Sequence, residues 1–69
     1  MFTRETFLKS IETYLTASGM SATGFGRQVL RDPTFVFELR SGRSPGLDIV
    51  ERVVGFMRDN PPSKRRKVA

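Results

Sequence analysis

Apolar residues recur with helical period along residues 4–18, where Phe7, Leu8, Ile11, Tyr14 and Leu15 form one stripe among polar neighbours. The spacing predicts a first helix from about Arg4 to Ser18. Thr3 stands before it as an N-cap, because its hydroxyl can accept one of the backbone N–H groups a helix start leaves free. Phe2 and Phe7 sit at the spacing of a hydrophobic staple, and Gly19 is placed to end the helix in a left-handed turn. A second helix is expected from Ser21 as N-cap to about Leu30, with Phe25 and Val29 on a shared face and Met20 repeating the staple. Gly24 and Gly26 weaken that helix by about 1 kcal/mol each relative to alanine, so close packing has to hold it.

Asp32-Pro33 reads as a cap followed by the residue that best tolerates the first helical position. The third helix is then expected from Pro33 to Arg40 or Ser41, with Gly42 as its stop and a link of only about two residues from the second. Ser44-Pro45 repeats the signal and predicts a fourth helix from Pro45 to Arg58. The fourth segment's apolar residues, Leu47, Ile49, Val50, Val53, Val54, Phe56 and Met57, spread over about half the wheel, wider than one core-facing side requires. Asn60-Pro61-Pro62-Ser63 closes the pattern. The expectation is an all-α fold, a compact bundle of four to five short helices containing a helix-turn-helix, over residues 1–60, followed by a basic, disordered tail over 61–69.

Length and composition narrow the function. A chain of 69 residues makes one domain with a thin core, a size at which pairing with a second copy often adds stability. With no cysteine and no histidine there is no disulfide, no thiolate or imidazole metal site, and no imidazole base. No carboxylate pair, nucleophile with a base, or phosphate-cradling glycine loop can be assembled, so neither an enzyme nor a metal or cofactor is expected. No apolar run is long enough for a membrane span or a signal peptide, which leaves a cytoplasmic, nucleoid-associated location as the expectation.

The net charge is +5, and its placement says more than its sum. Lys64, Arg65, Arg66 and Lys67 contribute four of the positive charges, while residues 1–60 carry eight basic against seven acidic residues. Within that body, residues 27–43 hold Arg27, Arg31, Arg40 and Arg43 against Asp32 and Glu38. Positive charge gathered in the middle and the tail points to a polyanionic partner.

Two short helices joined by a tight turn form the arrangement that places a helix in the DNA major groove. On the wheel of the third helix, Val36 and Leu39 point to a core, and Thr34, Phe37, Glu38 and Ser41 point away from it. Thr34 can hydrogen-bond a base edge, Phe37 can pack on a thymine methyl, and Glu38 can accept from a cytosine amino group. Arg27, Arg31, Arg40 and Arg43 are better suited to phosphates, and the tail to phosphates or a minor groove, with a nuclear localisation signal, which its basic cluster resembles, as the alternative.

The stretch from Ser21 to Met57 resembles the lambda-repressor-like (XRE-type) helix-turn-helix family. Gly26 takes the small position of the second helix, Val36 and Leu39 match the buried pair of the third, and Ser41-Gly42-Arg43-Ser44-Pro45 matches the turn before an apolar fourth helix. The family's central glycine is replaced here by Leu30 and Arg31, and its glutamine near the start of the second helix by Ala22. The resemblance implies base contacts from Pro33, Thr34, Phe37 and Glu38. Backbone contacts are expected from Ser21, Thr23, Arg27, Arg31, Arg40, Ser41, Arg43 and Ser44. The expected function is sequence-specific double-stranded DNA binding by a small transcriptional regulator, a homodimer joined through Ile49, Val53 and Phe56 on one edge of the fourth helix. The alternative is a protein-interaction adaptor on the same scaffold, binding a larger regulator or RNA polymerase through Glu38 and that edge.

Overall fold

Helix starts in this chain are set by whichever group takes the first free amides. In the computed structural model, which describes residues 3–62, Thr3 and Thr6 cap each other: the Thr3 hydroxyl accepts from the Thr6 amide at 3.2 Å, and the Thr3 amide donates to the Thr6 hydroxyl at 2.7 Å. Helix α1, Arg4–Ser18, follows and ends at Gly19 with φ 78°, as its spacing predicts. The Ser21 hydroxyl accepts from the Gly24 amide at 2.9 Å and opens α2, Ala22–Leu30. Helices α3, Phe35–Arg40, and α4, Leu47–Asp59, complete an all-α bundle of four helices with no strand among the described residues. The expected staple residue Phe2 and the tail cations Lys64, Arg65, Arg66 and Lys67 lie outside the described residues.

The core is a single cluster of Phe7, Ile11, Tyr14 and Leu15 from α1, Phe25 from α2, Phe35, Val36 and Leu39 from α3, and Val53 from α4. Tyr14, Phe25 and Phe56 meet edge to face or tilted, with ring centroids 5.6–6.2 Å apart, a geometry that favours aromatic pairs beyond their buried area. The Tyr14 hydroxyl donates to the Asn60 carbonyl at 2.6 Å and fastens the end of α4 to α1. No buried side-chain nitrogen or oxygen among the described residues lacks a partner.

Three expectations need correction. The link between α2 and α3 is residues 31–34, longer than expected, because Asp32 and Pro33 form a turn rather than a first helical turn. The Asp32 carboxylate accepts from the Thr34 amide at 3.1 Å within that turn, but the N-cap of α3 is Thr34, with no side-chain cap bond, and the Phe35 amide bonds back only three residues, to the Asp32 carbonyl at 3.2 Å, so regular helix begins at Phe35. Helix α4 begins at Leu47 with Gly46 as N-cap and no side-chain cap bond, so Ser44 caps nothing. Residue 44 precedes a proline, which disfavours helical backbone there. Finally, Ile49, Val53 and Phe56 do not form an open edge: Val53 is fully buried, Phe56 belongs to the aromatic cluster, and Ile49 packs against the core. The apolar residues that α4 leaves to solvent are Leu47, 71% exposed, and Val54, 38% exposed.

Candidate nucleic-acid interface

The position of α3 depends on how closely α2 approaches the turn that follows it. Gly26 is buried, and a Cβ built on it would overlap the Asp32 carbonyl oxygen and touch the Phe35 Cβ at 3.3 Å. The Asp32 amide donates to the Gly26 carbonyl at 3.1 Å, so the turn lies directly against that glycine. Arg31 makes the reversal in left-handed conformation, φ 57° and ψ 33°, the backbone state in which a glycine carries no Cβ penalty. Its amide closes α2 on the Arg27 and Gly26 carbonyls.

Seated this way, α3 buries Phe35, Val36 and Leu39 and turns Pro33, Thr34, Phe37 and Ser41 outward, with Phe37 48% exposed and Glu38 half-buried. The separation of Val36 and Leu39 from the outward residues is the one the sequence implies. Helix α3 is six residues long, about 9 Å at 1.5 Å per residue, so the preceding turn supplies part of the outward surface.

The outward polar groups are tied to one another. The Thr34 hydroxyl lies 2.8 Å from Asp32 Oδ1 and 3.3 Å from Glu38 Oε2, and Arg43 donates to Glu38 Oε1 from the loop after α3. The hydrogen bonds from the Thr34 hydroxyl and amide hold the Asp32 carboxyl below its ordinary range, and Arg43 adds to the effect. These groups are exposed or partly so, which leaves them open to exchange with a ligand's hydrogen-bonding groups.

Arg40 is the most engaged of the four arginines. Its Nε and Nη2 donate to the two carboxylate oxygens of Glu12 on α1, at 2.7 and 2.8 Å, and its guanidinium lies 5.5 Å from the centre of the Phe37 ring. The hydrogen bonds from Arg40 hold the Glu12 carboxyl below its ordinary value. Arg40 therefore fastens α3 to α1 and braces Phe37. Arg27 and Arg31 are exposed and make no ion pair among the described residues. Ser21 and Thr23 lie at the start of α2, the Ser21 hydroxyl serving as its cap, and Ser41 donates through its hydroxyl to the Glu38 carbonyl at 2.8 Å. Ser44 is exposed.

The partners of Arg40 and Thr34 were not visible in the sequence pattern. Glu12 is 28 residues from Arg40, and nothing in the α1 stripe distinguishes its exposed acid from a solvated one. Asp32 carries a cap signal, but it does not say that the Thr34 side chain as well as the backbone is the donor. Among the described residues, no group of three or more acidic side chains is placed to hold a metal ion, and no helix is long and apolar enough to cross a membrane. Comparison with known proteins returns no matching family model, no similar curated protein and no similar solved structure.

Proposed function

We propose that this protein is a sequence-specific binder of double-stranded DNA, a small transcriptional regulator of the lambda-repressor-like helix-turn-helix kind that presents α3 to the major groove. The observation that carries the reading is the two-sidedness of the α3 region. Val36 and Leu39 anchor it below, while Pro33, Thr34, Phe37 and Ser41 stand clear of the core next to an α2 whose Arg27 and Arg31 make no ion pair among the described residues. Binding, not catalysis, is the role these side chains suit. In this reading Thr34, Phe37 and Glu38 meet base edges and Pro33 makes apolar contact. Arg27, Arg31, Arg43 and the tail neutralise phosphates. Arg40 works mainly as a brace, since Glu12 already occupies its guanidinium. A two-fold homodimer acting near the nucleoid accords with the size of the domain, and its seam would lie on Leu47 and Val54 instead of the edge through Val53.

A second reading draws on the same exposed pair. Leu47 and Val54 lie seven residues apart on one face of α4, near Asp48 and Glu51, which make no ion pair among the described residues. An adaptor that docks on a basic, apolar surface of a larger regulator or polymerase would use such a face. Titration of random and of selected duplexes at two salt concentrations separates the readings. The DNA reading expects a preferred sequence bound at least about tenfold more tightly than random duplex, and affinity that falls steeply with salt. Equal affinity for every duplex removes the specific regulator, and no binding at low salt favours the adaptor.

A further inference from the structure

Between the C-terminal end of α2, the inner edge of α3 and the start of α4 lies an open cleft of about 180 Å³, which shares Arg43 with the proposed DNA-facing surface. Its apolar floor is formed by Leu30, Phe35, Leu39 and Ile49. Its charged rim is Arg43 and Arg52 against Asp32. Asp32 is already engaged, since its carboxylate accepts from both the amide and the hydroxyl of Thr34. Arg52 is exposed and makes no ion pair among the described residues, so the rim presents a guanidinium open to a ligand above a hydrocarbon floor.

We propose that this cleft binds a small carboxylate carrying one ring, or a hydrocarbon group of similar bulk, with the carboxylate at Arg52 and Arg43 and the apolar body on Leu30, Phe35, Leu39 and Ile49. Size sets the body: an apolar cavity of about 150 Å³ accepts a benzene ring, so this cleft has room against its floor for about one ring. Charge sets the head group: Arg52 makes no ion pair among the described residues, and Arg43 is held by an exposed pair with Glu38 that a ligand carboxylate can exchange with. Arginine's planar fork suits a carboxylate in particular. Arg43 is also the partner of Glu38 on the outward side of α3, so a bound carboxylate competes with Glu38 for it. That consequence, ligand control of the groove-reading side chains, rests on the DNA-binding reading; the existence of the site does not.

The test uses the full chain without DNA, so a negative result leaves the DNA reading intact and a failure of DNA binding leaves the cleft untouched. Methyl resonances of Leu30, Leu39 and Ile49 are followed during titration with benzoate, benzamide, acetate and inorganic phosphate at constant ionic strength. Benzoate is expected to shift them saturably with a midpoint of about a millimolar, as suits a ligand of so few atoms. Benzamide, which keeps the ring and loses the charge, and acetate, which keeps the charge and loses the ring, are each expected to bind at least about threefold more weakly. Arg52→Gln is expected to bring benzoate down to the benzamide level. Absence of a saturable benzoate shift overturns the proposal. So does acetate or phosphate binding as well as benzoate, which would mean a plain anion site. The comparison of benzoate with benzamide needs no variant, so a poorly folded Arg52→Gln protein would leave the test intact.

Discussion

Gly26 and Arg31, five residues apart in α2 and its cap, show how local preference and tertiary contact compete. Helix propensity alone says that Gly26→Ala should stabilise by about 1 kcal/mol. Contact says the opposite, because the added methyl would overlap the carbonyl oxygen of Asp32, a backbone atom that can move only if the whole turn moves. Overpacking of this kind costs about 1–3 kcal/mol, so the clash outweighs the propensity and the alanine variant should lose stability in urea unfolding. Arg31 presents the reverse case. Its left-handed backbone strains any side chain by about 1–2 kcal/mol, and glycine relieves that at a smaller entropic cost in the unfolded chain. Arg31→Gly should therefore raise the melting temperature by a few degrees, at about 4–8 °C per kcal/mol for a domain of this size, and on the DNA-binding proposal it should weaken all duplexes alike through the lost cation. A drop in melting temperature would mean that the Arg31 side chain contributes more to the fold than its exposed position indicates.

Among the helices, α3 has the least intrinsic support, since at six residues it is too short to be stable alone. Three side chains bury its inner face, and the Glu12–Arg40 pair clamps its outer end to α1. Both partners are about 40% exposed, so the pair is worth about 0.5–1 kcal/mol after screening, measurable as the coupling in a Glu12→Gln, Arg40→Gln double-mutant cycle. Its pH dependence has a definite sign. Glu12 titrates below its unfolded value, so its contribution is complete above that unfolded value and is lost as pH falls through the lower, folded one. The stability difference between the wild type and Glu12→Gln should hold constant from neutral pH down to the ordinary glutamate range and close only below it. A difference that persists in strong acid would show that the variant acts by something other than charge. This clamp also marks the limit of what the sequence discloses. The α1 stripe, the Thr3 and Ser21 caps and the Gly19 stop are local patterns, read from neighbours, and α1 and α2 have the expected bounds. The starts of α3 and α4 depend on how far the chain must reach between packed helices. Two near-identical signals, Asp32-Pro33 and Ser44-Pro45, therefore ended differently: the first caps a turn through Asp32, and the second is passed over for Gly46. The outward side of α3 was legible from Val36 and Leu39 alone, but its internal wiring joins residues as far as 28 positions apart and was not.

Taken together, the folded body carries little free charge of its own. Residues 1–60 hold eight basic and seven acidic side chains, and two of the four arginines in the middle segment are already paired, Arg40 with Glu12 and Arg43 with Glu38. In the DNA-binding reading, a body so nearly neutral would orient α3 and discriminate between sequences but attract a polyanion only weakly, whereas Lys64, Arg65, Arg66 and Lys67 add four charges that no acid near them in sequence offsets. Affinity and selectivity should therefore separate on truncation. Removing residues 63–69 deletes those four cations yet leaves every described helix and the Tyr14–Asn60 hydrogen bond in the chain. Helical signal should be unchanged and stability should move by no more than about 0.5 kcal/mol. DNA affinity should fall for every sequence, and the log–log salt slope should flatten by about 0.9 for each phosphate the tail had neutralised, up to roughly 3–4 in all. The ratio between preferred and random duplex should persist, because the side chains proposed to read bases are all on the body. An unchanged salt slope would show that the tail does not touch DNA, and the remaining body, with its few unpaired arginines, would then have to supply all of the attraction.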